Sequence, residues 1–137
     1  MRKNTKSLSV APFKPWSSEE AFRLLVESVP DYAIFTLDKF GKITSWNKGA
    51  ERQFGYKEKE ILGQHFSVLF TNDDIKKGAP QKEMEIASKQ GKAPDKRFHV
   101  HKNGTKFFVD GTLTPMRDEM GKVCGFVKII HKISENI

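Results

Sequence analysis

His99 and His101, separated by Val100, are the first side chains in this chain whose types and spacing suggest chemistry. Residues two apart on a strand point to the same face, so the pair could offer two imidazoles to one metal ion. No Cys, Asp or Glu is recognised beside them to complete a coordination sphere. They read instead as strand histidines in packing or at the surface, with no metal site. The lone Cys124 excludes an internal disulfide framework and a multi-cysteine zinc site. Hydrolase signatures, phosphate loops and a kinase's glycine-rich loop do not occur. No motif brings a nucleophile and a base together, and the chain reads as no enzyme.

The elements that must position these residues come from a chain of 137 residues, the length of one domain with tails. With 37% hydrophobic and 30% charged residues it is too apolar for disorder and too polar to live in a bilayer. No apolar run approaches the ~18 residues of a membrane span, and the first residues lack the apolar core of a secretory signal. A cytoplasmic protein without a membrane partner is expected. Of the formal charge of +7, residues 1–15 hold +4, where Arg2, Lys3, Lys6 and Lys14 meet no acid, while residues 31–137 hold +5 spread over more than a hundred positions. A solvated, disordered basic leader over 1–16 follows. Elsewhere no block of five like charges marks a nucleic-acid face.

Ser17 and Ser18 precede Glu19 and Glu20, a cap with acids in the first turn, so a flanking helix within 17–30 is expected, over 18 to 28. Its apolar residues form two stripes, with Leu25 on one and Phe22, Val26 and Val29 on the other, more than one packing surface covers. From Tyr32 the pattern turns to β-prone runs, a hairpin of 33–38 and 43–46 around Gly41. Asn47 caps a short helix that Gly55 closes. Helical turns follow at 57–62 and 66–70, and a longer helix starts with Asn72 as cap, broken and restarted at Gly78 and Pro80 and running through Gly91. Three strands end the chain, at 96–101, 106–114 and 123–133, joined across Asn103-Gly104 and across 118–122. The fold class is α+β, one five-stranded antiparallel sheet with short helices over one face and a pocket between the two layers.

Asp31-Tyr32-Ala33-Ile34-Phe35, Gly41-Lys42-Ile43, Trp46-Asn47, Ala50 to Tyr56, Glu60-Ile61-Leu62-Gly63, Lys102-Asn103-Gly104-Thr105 and Gly125-Phe126-Val127 occur in an order that resembles a PAS domain, of the sensory-box type in bacterial sensor histidine kinases. The likeness spans 31–135. It implies strand order 2-1-5-4-3, a ligand pocket under the helices, and activity in attached effectors. Lys132-Ile133-Ser134-Glu135 stands where the family often has Asp-Ile-Thr-Glu, with a base for the acid. The flavin photochemistry of some relatives needs a cysteine where Phe66 stands, and haem-binding relatives use a histidine on the long helix, where residues 73–90 have none. Neither cofactor is expected, and a ligand, if any, is an unidentified small molecule.

The strand 104–109 is faintly similar to an RNA-recognition strand with stacking aromatics. The element order does not fit that fold, and no nucleic-acid partner is expected.

At the Asn103-Gly104 hairpin the residues alone favour the first of two registers. A two-residue turn pairs Val100 with Phe107 and Phe98 with Val109; a three-residue loop with Gly104 left-handed sets His99 opposite Phe107 and Arg97 opposite Val109. The resemblance implies the second. It also turns Phe35, Leu37, Val109, Gly111, Phe126, Lys128 and Ile130 inward, and with Glu51, Arg97 and His99 these are the candidate ligand-binding residues. A lysine between apolar neighbours on a central strand reaches solvent, pairs internally or meets an anion. Glu51 is the expected partner of Lys128. Arg97, His99 and Lys128 against one carboxylate would leave positive charge for an anionic ligand.

Two functions compete. One is a signal-sensing module that binds a small, anionic molecule and relays a conformational change to a histidine kinase or other effector. The other is a ligand-free homodimerisation or docking module, with Phe22, Leu25, Val26 and Val29 at the interface.

Overall fold

The structure, a computed structural model, describes residues 17–134. The basic leader expected over 1–16 lies outside the described residues. Helix α1, Ser18–Glu27, opens with a capping box, in which the Ser17 hydroxyl accepts from Glu20 N and the Glu20 carboxylate accepts from Ser17 N at 3.0 Å. None of its residues is buried. Strand β1, Tyr32–Asp38, alternates as a half-buried strand should, with Ala33, Phe35 and Leu37 in the core.

Asn47 explains how the next elements are placed. Its Oδ1 accepts from Ala50 N at 2.8 Å and Ile34 N at 2.9 Å, capping α2, Lys48–Phe54, against β1. Its amide donates to the Tyr32 and Val26 carbonyls, at 3.0 and 3.1 Å, which ties α1 to the same corner. Then come α3, Glu58–Ile61, a 3-10 turn at Phe66–Leu69, α4, Asn72–Lys76, and α5, Ala79–Gln90. The cap of α4 is Thr71, whose hydroxyl accepts from Asp74 N at 3.2 Å, and not Asn72, which is already helical. Gly78, at φ 75°, separates α4 from α5.

Among the described residues the sheet has four strands in the order β1-β4-β3-β2, all antiparallel, with β2 at Ala93–Val100, β3 at Lys106–Arg117 and β4 at Val123–Ser134. The fifth strand expected at 43–46 is absent as a ladder. That segment does run beside β1, with Thr44 N donating to Thr36 O at 2.8 Å. The β1 amides of Ile34 and Thr36, however, are taken by the side-chain oxygens of Asn47 and Ser45, at 2.9 and 3.1 Å. Side chains replace the carbonyls a ladder needs, so only an isolated bridge, Leu37 to Ile43, remains.

The β2–β3 hairpin takes the bulged register: His99 pairs with Phe107 and Arg97 with Val109. His101 N bonds Thr105 O and Gly104, at φ 92°, donates to His101 O, both at 2.8 Å. A side chain at 104 would resist that left-handed backbone, so the glycine selects the register that sends His99 inward.

Candidate functional site

The space under the helices is filled by side chains. Phe35, Val109 and Ile130 are 0% exposed, and Leu37, Gly111 and Phe126 are buried with them. Phe54 meets Trp46, Phe35 and Phe107 ring against ring, with centroids 5.7, 6.3 and 5.2 Å apart. These positions form a core, and one end of it is charged.

The charged end joins five elements. Asp95 on β2 is the hub. Its Oδ2 lies 2.7 Å from Lys128 Nζ on β4 and 2.7 Å from His99 Nε2, and its Oδ1 accepts from Arg97 Nε. Lys128 also donates to Glu83 Oε1 on α5. The other His99 nitrogen, Nδ1, is 2.8 Å from Leu69 O. A carbonyl only accepts, so Nδ1 carries a proton. Arg97 reaches outward to Asp74 Oδ2 on α4 at 3.3 Å. Lys128, Asp95 and Glu83 have side chains no more than 1% exposed. Aromatic faces complete the enclosure: the Phe66 and Phe70 rings lie 5.7 and 5.6 Å from Lys128 Nζ, and Phe70 meets His99 edge-on at 4.7 Å.

The acids of this cluster divide the charge unequally. Burial alone would push the Asp95 carboxyl up, but Lys128 and His99 beside it hold it well below the usual carboxylate range. Burial pushes Glu83 up to about 7; Lys128 opposes the rise and the Asp95 charge adds to it. Geometry agrees, because Glu83 Oε2 is buried with no hydrogen-bond partner. Arg97 Nη2 stands 3.8 Å away, an ionic contact too long for a hydrogen bond. For Arg97 burial works against the charge, yet Asp95, Glu83 and Asp74 together hold its pKa above the ordinary value.

The bulged register therefore brings Arg97, His99 and Lys128 together, but Glu51 does not join them. It lies on α2, where its Oε2 accepts from Glu58 N at 3.2 Å. Glu83 and Asp95 are the partners of Lys128, and with Asp74 they meet the cations that an anionic ligand was expected to meet. Each had a signal in the sequence. Ala79, Glu83 and Ala87 recur at four-residue spacing, the buried stripe of α5. Asp95 belongs to the alternation Ala93, Asp95, Arg97, His99 and is the acid beside His99; the strand starts at Ala93, not at Lys96 as expected, and so includes it. Among the described residues no group of three or more His, Cys, Asp and Glu could hold a metal. Chemically the cluster can hold and exchange protons and clamp α5 to the sheet.

Of the expected interface residues, Phe22, Leu25 and Val26 lie on α1, and Val29 falls just past its end at Glu27. Leu25 is 69% exposed, Phe22 and Val29 are also exposed, and Val26 is partly buried. Phe22 and Val26 face Ile34 and Trp46 across a groove of about 720 Å³.

Comparison with known proteins agrees with this architecture. A family model described as "PAS domain" matches residues 31–135. Two-component system protein A of Emericella nidulans is 36% identical over 116 residues, 85% of this chain but 17% of that protein. This chain thus spans about one sixth of that relative. The solved PAS domain of a protein from Colwellia psychrerythraea superposes with a TM-score of 0.76 at 24% identity, covering 87% of this chain and all of that one. A domain of a sensory box sensor histidine kinase/response regulator from Geobacter sulfurreducens gives 0.68 at 20% identity, over 82% and 92% of the two chains.

Proposed function

The chain belongs to the PAS domain family, and from that premise we propose that it is a signal-transducing module that works through protein contacts, self-associating through α1 and relaying a change there to a histidine kinase or comparable effector. The observation that carries this reading is α1 itself, a capped helix with three exposed apolar residues, Phe22, Leu24 and Leu25, and no buried one, followed just past its end by the exposed Val29. Isologous packing against a second copy would cover that surface. The interior supports the same choice, because its cations are met by Asp95, Glu83 and Asp74. The relative from Emericella nidulans is named as a two-component protein, which supports the signalling context. Light scattering of the purified chain tests the reading: a dimer that Phe22→Glu with Leu25→Glu converts to monomer supports it, and a monomer at high concentration sinks it.

A ligand-sensing reading has one observation in its favour. Asp74, Lys82, Glu83 and Arg97 line a cleft of about 280 Å³ at the outer end of the ion cluster, and Glu83 Oε2 lacks a hydrogen-bond partner there. A small organic acid displacing Asp74 from Arg97 would fit that chemistry. Thermal-shift screening of organic acids against the native chain and Arg97→Gln separates the two. Stabilisation of the native chain alone favours a ligand.

A further inference from the structure

Two loops at one end of the sheet repeat one five-residue design. Asp38-Lys39-Phe40-Gly41-Lys42 leaves β1, and Asp118-Glu119-Met120-Gly121-Lys122 joins β3 to β4. In each, the aspartate Oδ1 accepts two backbone amides: Phe40 and Lys42 at 2.9 and 3.0 Å, Met120 and Lys122 at 2.8 and 3.0 Å. In each, the aspartate N–H donates to the lysine carbonyl at 2.8 Å, and the glycine takes a positive φ, 91° and 84°. The turn needs the aspartate and the glycine. It needs nothing apolar at the third position.

Yet both third positions are large and apolar and are held outward, Phe40 67% and Met120 86% exposed. The loops are neighbours, since Asp38 pairs with Gly125 two residues into β4, and Phe40 shares a cleft with Val123 and Phe126. Lys39, Lys42 and Lys122 are exposed beside the two tips. The Arg117 guanidinium, donating to Gly121 O at 3.0 Å and Ser88 O at 2.8 Å, fastens the end of α5 to the second loop. That brings in Lys89, which pairs with Glu85, and Lys92; Glu119 is an exposed acid on the second tip.

We propose that this end of the sheet is a peripheral docking surface for an anionic lipid bilayer, with Phe40 and Met120 entering the boundary between headgroups and acyl chains. The charge of the rim is complementary to anionic headgroups. The form of the surface separates a bilayer from a protein partner. Protein interfaces are depleted in lysine and are built on a packed, continuous centre, whereas this surface is two separate tips set among lysines. A fluid bilayer moulds around such tips, and lysine stems beside them reach the headgroup level. Among the described residues no helix is long and apolar enough to cross a membrane, so the contact is one of surface docking. With two apolar side chains and a few lysines it is weak and reversible, and it reaches beyond the signalling role proposed above.

Co-sedimentation of the full chain with phosphatidylcholine vesicles, with and without phosphatidylserine, tests this at low and physiological salt. Binding is expected only with phosphatidylserine, and it should fall as salt rises. Phe40→Ser with Met120→Ser, which changes no charge, should weaken it about tenfold or more. Lys39→Gln and Lys122→Gln should each weaken it about fivefold. Both tips are exposed, so the variants should melt like the native chain. Absence of binding to phosphatidylserine vesicles overturns the proposal. So does binding that the Phe40 and Met120 pair leaves unchanged, which would assign it to the basic leader. A lipid-free change of molecular size in that variant would also overturn it, by showing that the tips contact a second copy.

Discussion

Lys128 and Asp95 meet at 2.7 Å although a whole strand, β3, runs between the strands that carry them. The β3 residue opposite Asp95 is Gly111, and the one opposite Lys128 is Leu113. With no side chain at 111 the inner face is open enough for the lysine to cross it. A Cβ built on Gly111 would stand 2.9 Å from Ile129 O, a backbone atom that cannot swing aside.

Gly111→Ala is therefore expected to cost about 1–3 kcal/mol, read as a lower urea midpoint. A variant as stable as the native chain would show that β3 and β4 can part there without penalty.

Lys128→Met should cost more, about 3–5 kcal/mol, because it leaves Asp95 and Glu83 buried without their shared cation. Adding Glu83→Leu should restore part of the loss, since one of the stranded carboxyls is then gone. Equal destabilisation of the single and double variants in urea would contradict the pairing.

The pH dependence follows from the two acids and has opposite signs at the two ends. Glu83 holds its proton up to about 7 in the folded chain, while the unfolded chain loses it near 4.5. Stability contributed by this group is greatest below 4.5 and falls as pH rises to 7, by roughly 3 kcal/mol. Asp95 is depressed below its ordinary 3.8, so its contribution is present above that value and is lost as pH falls beneath it. Native stability measured by urea at a series of pH values should thus fall between 4.5 and 7 relative to Glu83→Gln. Parallel curves for the two proteins would remove Glu83 as the titrating group.

Leu25→Glu changes a side chain that is 69% exposed, and it should leave the thermal midpoint of the monomer unchanged while weakening self-association about tenfold or more. Sedimentation at a range of concentrations distinguishes this from a helix that merely decorates the domain: in that case the native chain and the variant behave alike.

Freshly purified protein should be colourless. Phe66, which stands where flavin-adduct relatives have their cysteine, is 0% exposed and packs edge-on against Phe70 at 5.3 Å. A structured flavin band or a Soret band in the absorbance spectrum would refute this expectation.

Much of the fold was legible because its signals are local. Asn47, Gly55 and Gly91 mark helix ends through backbone conformation and hydrogen bonds that a few neighbouring residues decide. The alternation of Ala33, Phe35 and Leu37 reports one buried face of a strand regardless of what lies across from it. The missing fifth strand was illegible because Ser45 and Asn47 compete with main-chain carbonyls only once they stand beside β1.

The candidate site divides along the same line. That Lys128, His99 and Arg97 share a face follows from strand period, the hairpin glycine and the family likeness. Which acids meet them does not, because Glu83, Asp95 and Lys128 are spread over 45 residues and meet only when α5 lies across the sheet. Glu51, on the helix after Asn47, is the wrong partner in space: its carboxylate meets Glu58 N instead. A buried cation is stabilised by whatever carboxylate the packing brings within hydrogen-bond reach, and that choice belongs to the tertiary structure.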